Sequence, residues 1–259
     1  RKAILRVDFN VPLDKKTFEI TDDKRMQAAL PTINRILSDG GSVIIISHLG
    51  RPQNGPEKSF SLSHLTNHLE QITSRKVLFA EDCIGEEAKT LSQKLNPGEI
   101  LLLENVRFYK EETLGDQNFA KKLADLGDCY VNDAFGTAHR AHSSTAHIAA
   151  YFTRENKMSG LLMNAEIESA KKVMEETQRP FTAIVGGAKV SDKVLIGENL
   201  MKIADHIIIG GGMAYTFKKA LGGQIGASLC ENERIVTCKE ILSKAADMGV
   251  EIHLPLDSV

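Results

Sequence analysis

Arginine and histidine recur in this sequence directly after short apolar runs. His48 and Arg51 follow the run 43–46 within Ser47-His48-Leu49-Gly50-Arg51-Pro52, Arg107 follows 100–103, and His139 and Arg140 follow 129–131. Asp8 and Asn10 follow 3–7 in the same way, and Arg25 opens the next helix-period segment, within reach of the same side. Guanidinium forks match phosphate and carboxylate oxygens, while Asp8 and Asn10 accept from and donate to hydroxyl or carboxyl groups. Together these side chains suit a small, multiply anionic metabolite, provided the apolar runs are strands ending on one rim. A single surface arginine is usually only solvated. The repeated strand-end placement weighs against that reading here. Whether His48 would act as imidazole or imidazolium is left open at this level.

The second half carries a different pattern. The run 182–185 leads into Gly186-Gly187-Ala188-Lys189-Val190-Ser191-Asp192-Lys193, and the run 206–209 into Gly210-Gly211-Gly212. Glycines at strand–helix turns let backbone amides approach phosphate, and the lysines add point charges. Two such turns suit a nucleotide better than a lone metabolite. Familiar fingerprints fail: Gly50 and Gly55 have P-loop spacing, but Pro56-Glu57 stands where Lys-Ser/Thr is required. Tyr215 stands where the dinucleotide fingerprint after Gly210 needs a small residue. His139, His142 and His147 lack the partners of a zinc site, and His64 and His68, four apart, read as solvated. No G-x-S-x-G elbow supports a serine hydrolase.

The elements that must position these residues show in the periodicity. Apolar runs at 3–7, 43–46, 77–79, 100–103, 129–131, 182–185, 206–209 and 250–254 alternate with amphipathic stretches. The stretches lie at 26–38, 63–72, 85–95, 117–126, 165–176, 192–204, 214–221 and 232–248. This alternation predicts α/β architecture with parallel sheets, whose carboxyl ends hold ligands. The polar, turn-prone stretch 151–159 and Arg179-Pro180 suggest a division: a first domain at 1–154, a connecting helix or hinge at 155–179, and a second domain at 180–259. The second has only three strands and is expected to be incomplete, a piece of a longer protein. The 259 residues are 42% hydrophobic and 25% charged, with a net charge of -2, so no global basic field exists to recruit nucleic acid or anionic membrane. No apolar run approaches the roughly 18 residues of a membrane span. The four cysteines, Cys83, Cys129, Cys230 and Cys238, form no C-x-x-C pair. A soluble cytoplasmic protein is expected.

Six blocks, in order, resemble the phosphoglycerate kinase family: R-V-D-F-N-V-P (6–12), S-H-L-G-R-P (47–52), L-L-E-N-V-R-F (102–108), V-N-D-A-F-G-T-A-H-R-A-H-S-S (131–144), G-G-A-K-V-S-D-K (186–193) and I-I-G-G-G-M-A (208–214). The resemblance implies two Rossmann-like three-layer αβα domains, the second incomplete, in a monomer with no nucleic-acid or membrane partner. The first would bind 3-phosphoglycerate or 1,3-bisphosphoglycerate, and the second ADP or ATP with Mg2+. It implies that Asp8, Asn10, Arg25, His48, Arg51, Arg107, His139 and Arg140 hold the phosphoglycerate. Gly187, Ala188, Lys189, Asp192, Lys193, Gly211 and Gly212 would hold the nucleotide, with Asp192 near the metal and Arg25 and Lys193 steadying the transferring phosphoryl group. Two other classes compete: a phosphometabolite-binding module without turnover, and a dinucleotide-dependent dehydrogenase, which rests on fold analogy alone.

Overall fold

Apolar side chains at successive strand positions are buried only where a sheet is covered on both faces. The computed structural model describes every residue except Asn54, Glu176, Asp192, Ser258 and Val259, and gives the backbone alone for 194–196. Its first sheet contains β1 (Lys2–Arg6), β2 (Ser42–Ile46), β3 (Val77–Ala80), β4 (Ile100–Leu103), β5 (Cys129–Asn132) and β6 (Lys157–Ser159). The spatial order is β3-β4-β2-β1-β5-β6, with every pairing parallel. Between these strands run α1 (Lys24–Ser38), α2 (Thr66–Thr73), α3 (Glu86–Lys94), α4 (Lys110–Leu114), α5 (Gln117–Ala124) and α6 (Phe135–Ala138).

The strands' two-residue period sorts the core into two layers. Leu5, Val7, Val43, Ile45, Leu102 and Val131 pack against Met26, Ala29 and Ile33 of α1 and Leu69 of α2. Ile4, Ile44, Ile46, Leu101, Leu103 and Tyr130 pack on the opposite side against Ala88 of α3 and Phe119 and Leu123 of α5. Every residue of β2 and β4 is buried, as their unbroken apolar runs require. Truncating one of these, as in Ile44→Ala, costs about 2–5 kcal/mol. Because β1 lies between β2 and β5, the chain leaves it in opposite directions, and a crevice opens at the carboxyl ends of these strands.

The chain divides into two compact units, Arg1–Glu168 and Ser169–Val259. The division falls within α7 (Leu161–Glu175). The second unit contains β7 (Thr182–Gly186), α8 (Val194–Leu200), β8 (His206–Gly210), α9 (Met213–Ala220), α10 (Ile235–Asp247) and β9 (Glu251–His253). Its sheet runs β7-β8-β9, again parallel. Ala183, Val185, Ile207 and Ile209 bury against Met213 and Phe217 of α9 and Ile241 and Ala245 of α10. On the other face Ile184 is 77% exposed and Ile208 also reaches solvent. The architecture is thus the α/β class with parallel sheets, its second sheet covered on one face.

Three expectations need correction. The polar stretch 151–159, read as turns, supplies β6, which pairs only with β5 at the sheet edge and so needs no apolar run. His64 and His68 do not share a continuous helix, since His64 lies in a 3₁₀ segment and His68 in α2. Neither is simply solvated: His64 stacks on Phe18 and bonds the Lys58 carbonyl at 2.7 Å, and His68 Nε2 meets Asp23 Oδ2 at 2.8 Å.

Candidate functional site

The loops leaving β1, β2 and β4 are tied to one another before any ligand is considered. Asn10 Oδ1 accepts from the Gly50 amide at 2.8 Å, and Arg107 Nη1 donates to the Gly50 carbonyl at 2.8 Å. The Asn10 amide in turn donates to Asp8 Oδ1 at 3.1 Å, and Asp8 Oδ2 accepts from Arg25 Nη1 at 2.9 Å. Gly50 has φ +62, and a Cβ there would meet the Phe60 ring at 2.3 Å, so glycine is required at this crossing. Asn105 fastens the third loop, donating through Nδ2 to the Leu49 and Phe60 carbonyls at 2.7 and 2.9 Å and accepting from the Arg107 amide at 3.0 Å.

Arg51, Arg107 and Arg140 line one open cavity of about 1110 Å³, together with Lys110 and His142. Asp8 and Arg25 line a neighbouring one of about 820 Å³ with Lys24, Asp133 and Gly136. His48 is buried, and its ring sits 3.2 Å from Arg6 Nη2 through Nδ1. Burial first, then the charges of Arg6, Arg107, Arg25 and Arg140, push its pKa down from 6.5 to about 2, so it is a neutral imidazole. That list of charges shows how many cations converge on this rim. Arg107 is itself pushed down by burial and then by Arg140, a concentration of positive charge that an anion would relieve. His139 is brought to the rim less closely: it is exposed and accepts from Arg140 Nε at 3.4 Å.

Sequence reasoning missed the group beneath this rim. Arg6 is fully buried, donating through Nε to Ser144 Oγ at 2.9 Å and through Nη1 to the Val7 carbonyl. Ser144 Oγ donates onward to buried Glu112 Oε1 at 2.6 Å, and its amide to Oε2 at 2.9 Å. Burial lowers the Arg6 pKa and the Glu112 charge opposes that. A cation inside the apolar run of β1 was the one available signal, because such a charge must be buried with a partner.

In the second unit the two glycine-rich turns lie backbone to backbone. A Cβ on Gly211, whose φ is +68, would approach the Gly187 carbonyl oxygen to 2.9 Å, and one on Gly212 would meet the Ala188 oxygen at 3.0 Å. The Met213 amide at the start of α9 donates to the Gly187 carbonyl at 2.9 Å. Lys193 caps α8, and its side chain runs past Gly187. Asp192 lies outside the described residues. A second residue missed from sequence, Glu231, holds the 186–193 turn in shape. Its carboxylate accepts from the Val190 and Ser191 amides and from Ser191 Oγ at 2.7 Å. These bonds, that from the Ser191 hydroxyl first, lower its pKa, and Lys189 adds to the effect. Gly211 and Gly212 also line an open cavity of about 660 Å³ with Tyr215, Lys218 and Asp257.

Comparisons with known proteins identify the family. The family model described as phosphoglycerate kinase matches residues 1–259. The phosphoglycerate kinase of Porphyromonas gingivalis is 49% identical across the whole chain, which spans 67% of that relative. That of Campylobacter concisus is 48% identical, again across the whole chain and over 64% of the relative. The chain thus spans about two thirds of the length of the relatives it matches. The phosphoglycerate kinase structure from Coxiella burnetii superposes with a TM-score of 0.85 at 40% identity, covering 98% of this chain and 63% of that one. That from Pyrococcus horikoshii gives 0.84 at 29% identity, covering 98% and 64%. With six ordered sequence blocks, the fold and a family model all in register, the chain belongs to the phosphoglycerate kinase family.

Proposed function

We propose that the chain supplies the 3-phosphoglycerate site and part of the nucleotide site of a phosphotransferase with a carboxyl group as acceptor. Its reaction would be the reversible glycolytic and gluconeogenic transfer of phosphoryl from 1,3-bisphosphoglycerate to ADP, giving 3-phosphoglycerate and ATP. The observation that carries this is the convergence of Arg51, Arg107 and Arg140 on one cavity beside a neutral His48. The arginines would neutralise the ligand's phosphate and carboxylate, and His48 and Asn10 would hydrogen-bond its polar groups without adding charge. Asp8 would take a hydroxyl. Arg25 is half-exposed in its pair with Asp8, an interaction worth only about 0–1 kcal/mol. It can therefore turn from Asp8 to a transferring phosphoryl group at little cost.

Phosphoryl transfer asks for positioning and charge neutralisation rather than a covalent nucleophile. Lys189 and Lys193, beside the packed glycine turns of 186–187 and 210–212, would meet the nucleotide phosphates, with Gly187, Ala188, Gly211 and Gly212 allowing close approach. Glu231 is committed to the turn's own amides and is not free to hold Mg2+. The metal would arrive on the nucleotide, where it screens the phosphate charge. Arg25 and Lys193 would then share the charge that develops on the equatorial oxygens. The in-line geometry requires the two ligands to be brought together with water excluded, and α7 is the hinge in this proposal. A monomeric cytoplasmic protein acting on small molecules, with no nucleic-acid or membrane partner, completes it.

The test combines a coupled activity assay with calorimetry. Arg25→Ala and Lys193→Ala should each lower turnover by about 100-fold or more, as lost charge stabilisation does. Near-normal turnover in both would overturn these roles. Binding of 3-phosphoglycerate with no transfer from 1,3-bisphosphoglycerate to Mg·ADP would identify a binding module instead.

A further inference from the structure

The uncovered face of the second sheet carries three metal-ligating side chains at matched positions. His206 opens β8 opposite Glu251, which opens β9, and His253 lies two residues further on, beside Ile208. All three project from the face opposite the core, since Ile207, which follows His206, and Ile252, between Glu251 and His253, pack into the core. Nδ1 of His206 is 3.2 Å from Nε2 of His253. Oε2 of Glu251 is 3.3 Å from the first and 3.6 Å from the second. The donor atoms therefore form a nearly equilateral triangle.

That triangle has the size of a tetrahedral coordination face. Bonds of about 2.0–2.1 Å meeting near the tetrahedral angle place neighbouring donors about 3.3–3.4 Å apart. We propose that His206, Glu251 and His253 form a three-ligand site for a borderline divalent cation of the zinc class, with the fourth position open to water. Two imidazoles and one carboxylate suit Zn2+ and its neighbours. They do not suit Mg2+, which demands six oxygens in near-ideal octahedral geometry. The site is separate from the nucleotide turns, because His206 begins β8 while Gly210 ends it. A bound ion would clamp β8 to β9. Side-chain exposures of 35%, 49% and 68% for His206, His253 and Glu251 leave an entry path.

Zinc chloride titrated calorimetrically into the chain in a chelator-free buffer at neutral pH is expected to show one saturable equivalent. His206→Gln and His253→Gln should each weaken it by more than about tenfold, the least that removing even an outer partner of a metal ligand commonly costs. His64→Gln, on the other unit, should leave it unchanged. Co2+ in place of zinc should give the intense visible absorption of a tetrahedral centre, lost in the same two variants. Excess Mg2+ should not displace the ion. Circular dichroism checks that the exposed-site variants fold. No saturable equivalent would overturn the site. So would one that survives either histidine substitution, or one that Mg2+ displaces.

Discussion

A neutral histidine among arginines makes folding stability itself depend on pH. The unfolded chain takes up a proton on His48 below pH 6.5, whereas the folded chain resists it down to about 2. The folded-state pKa is depressed, so the unfolded state binds more protons as pH falls. The contribution of His48 is therefore complete above pH 6.5 and is lost progressively below it. The slope reaches up to about 1.4 kcal/mol per pH unit. Urea unfolding of the chain and of His48→Gln at several pH values between 4.5 and 7 should show a shallower dependence in the variant. Equal slopes would mean that His48 is protonated in the fold. At this scale the sequence showed the rim but not its support. Arg51, Arg107 and Arg140 announce themselves by standing after apolar runs. Arg6 and Glu112 become a unit only through Ser144, a contact that spacing along the chain does not encode.

The strands with unbroken apolar runs, such as β2 and β4, were legible because burial on both faces leaves no polar position. β6 was not, since Lys157, Met158 and Ser159 sit at an edge and only one side is paired. α4 and α6 were also missed, each being too short for a 3.6-residue period to repeat. The glycine turns were legible as strand–helix turns, yet their mutual packing was not, nor was the hold of Glu231 on one of them. That packing carries a prediction at the level of the turn. Gly211→Ala places a methyl group 2.9 Å from the Gly187 carbonyl oxygen at a φ of +68. The clash and the left-handed conformation together should cost about 1–3 kcal/mol. ADP affinity should fall with it, while 3-phosphoglycerate affinity of the other unit stays unchanged. Calorimetry with each ligand separates the two outcomes, and unchanged ADP affinity would remove this turn from the nucleotide site.

The two units differ as wholes in how their sheets are covered. In the first, Ile44 and Leu101 lie in one buried layer and Ile45 and Leu102 in the other. In the second, among the described residues, one face of β7 is open at Ile184. Backbone amides there are shielded on one side only, and opening them exposes less apolar surface. Native-state hydrogen exchange should find β7 amides at least about tenfold less protected than those of β2 and β4. Equal protection across both sheets would show that the second unit is as cooperative as the first. Among the described residues no helix is long and apolar enough to cross a membrane.

The anion rim also sets a point in the chain's synthesis before which it cannot exist. Its cations are contributed by segments as far apart as Arg25 and Arg140, and the last of them follows β5, which docks beside β1. A nascent chain that has emerged only through α4 has Arg51 and Arg107 but neither Arg140 nor the Ser144 that Arg6 bonds. Affinity for a phosphometabolite should thus switch on late and abruptly as the ribosome passes β5. A ligand of the proposed site would then serve as a sensor of completed topology and reward only the finished sheet. At a hundred times its dissociation constant that reward is about 2.7 kcal/mol.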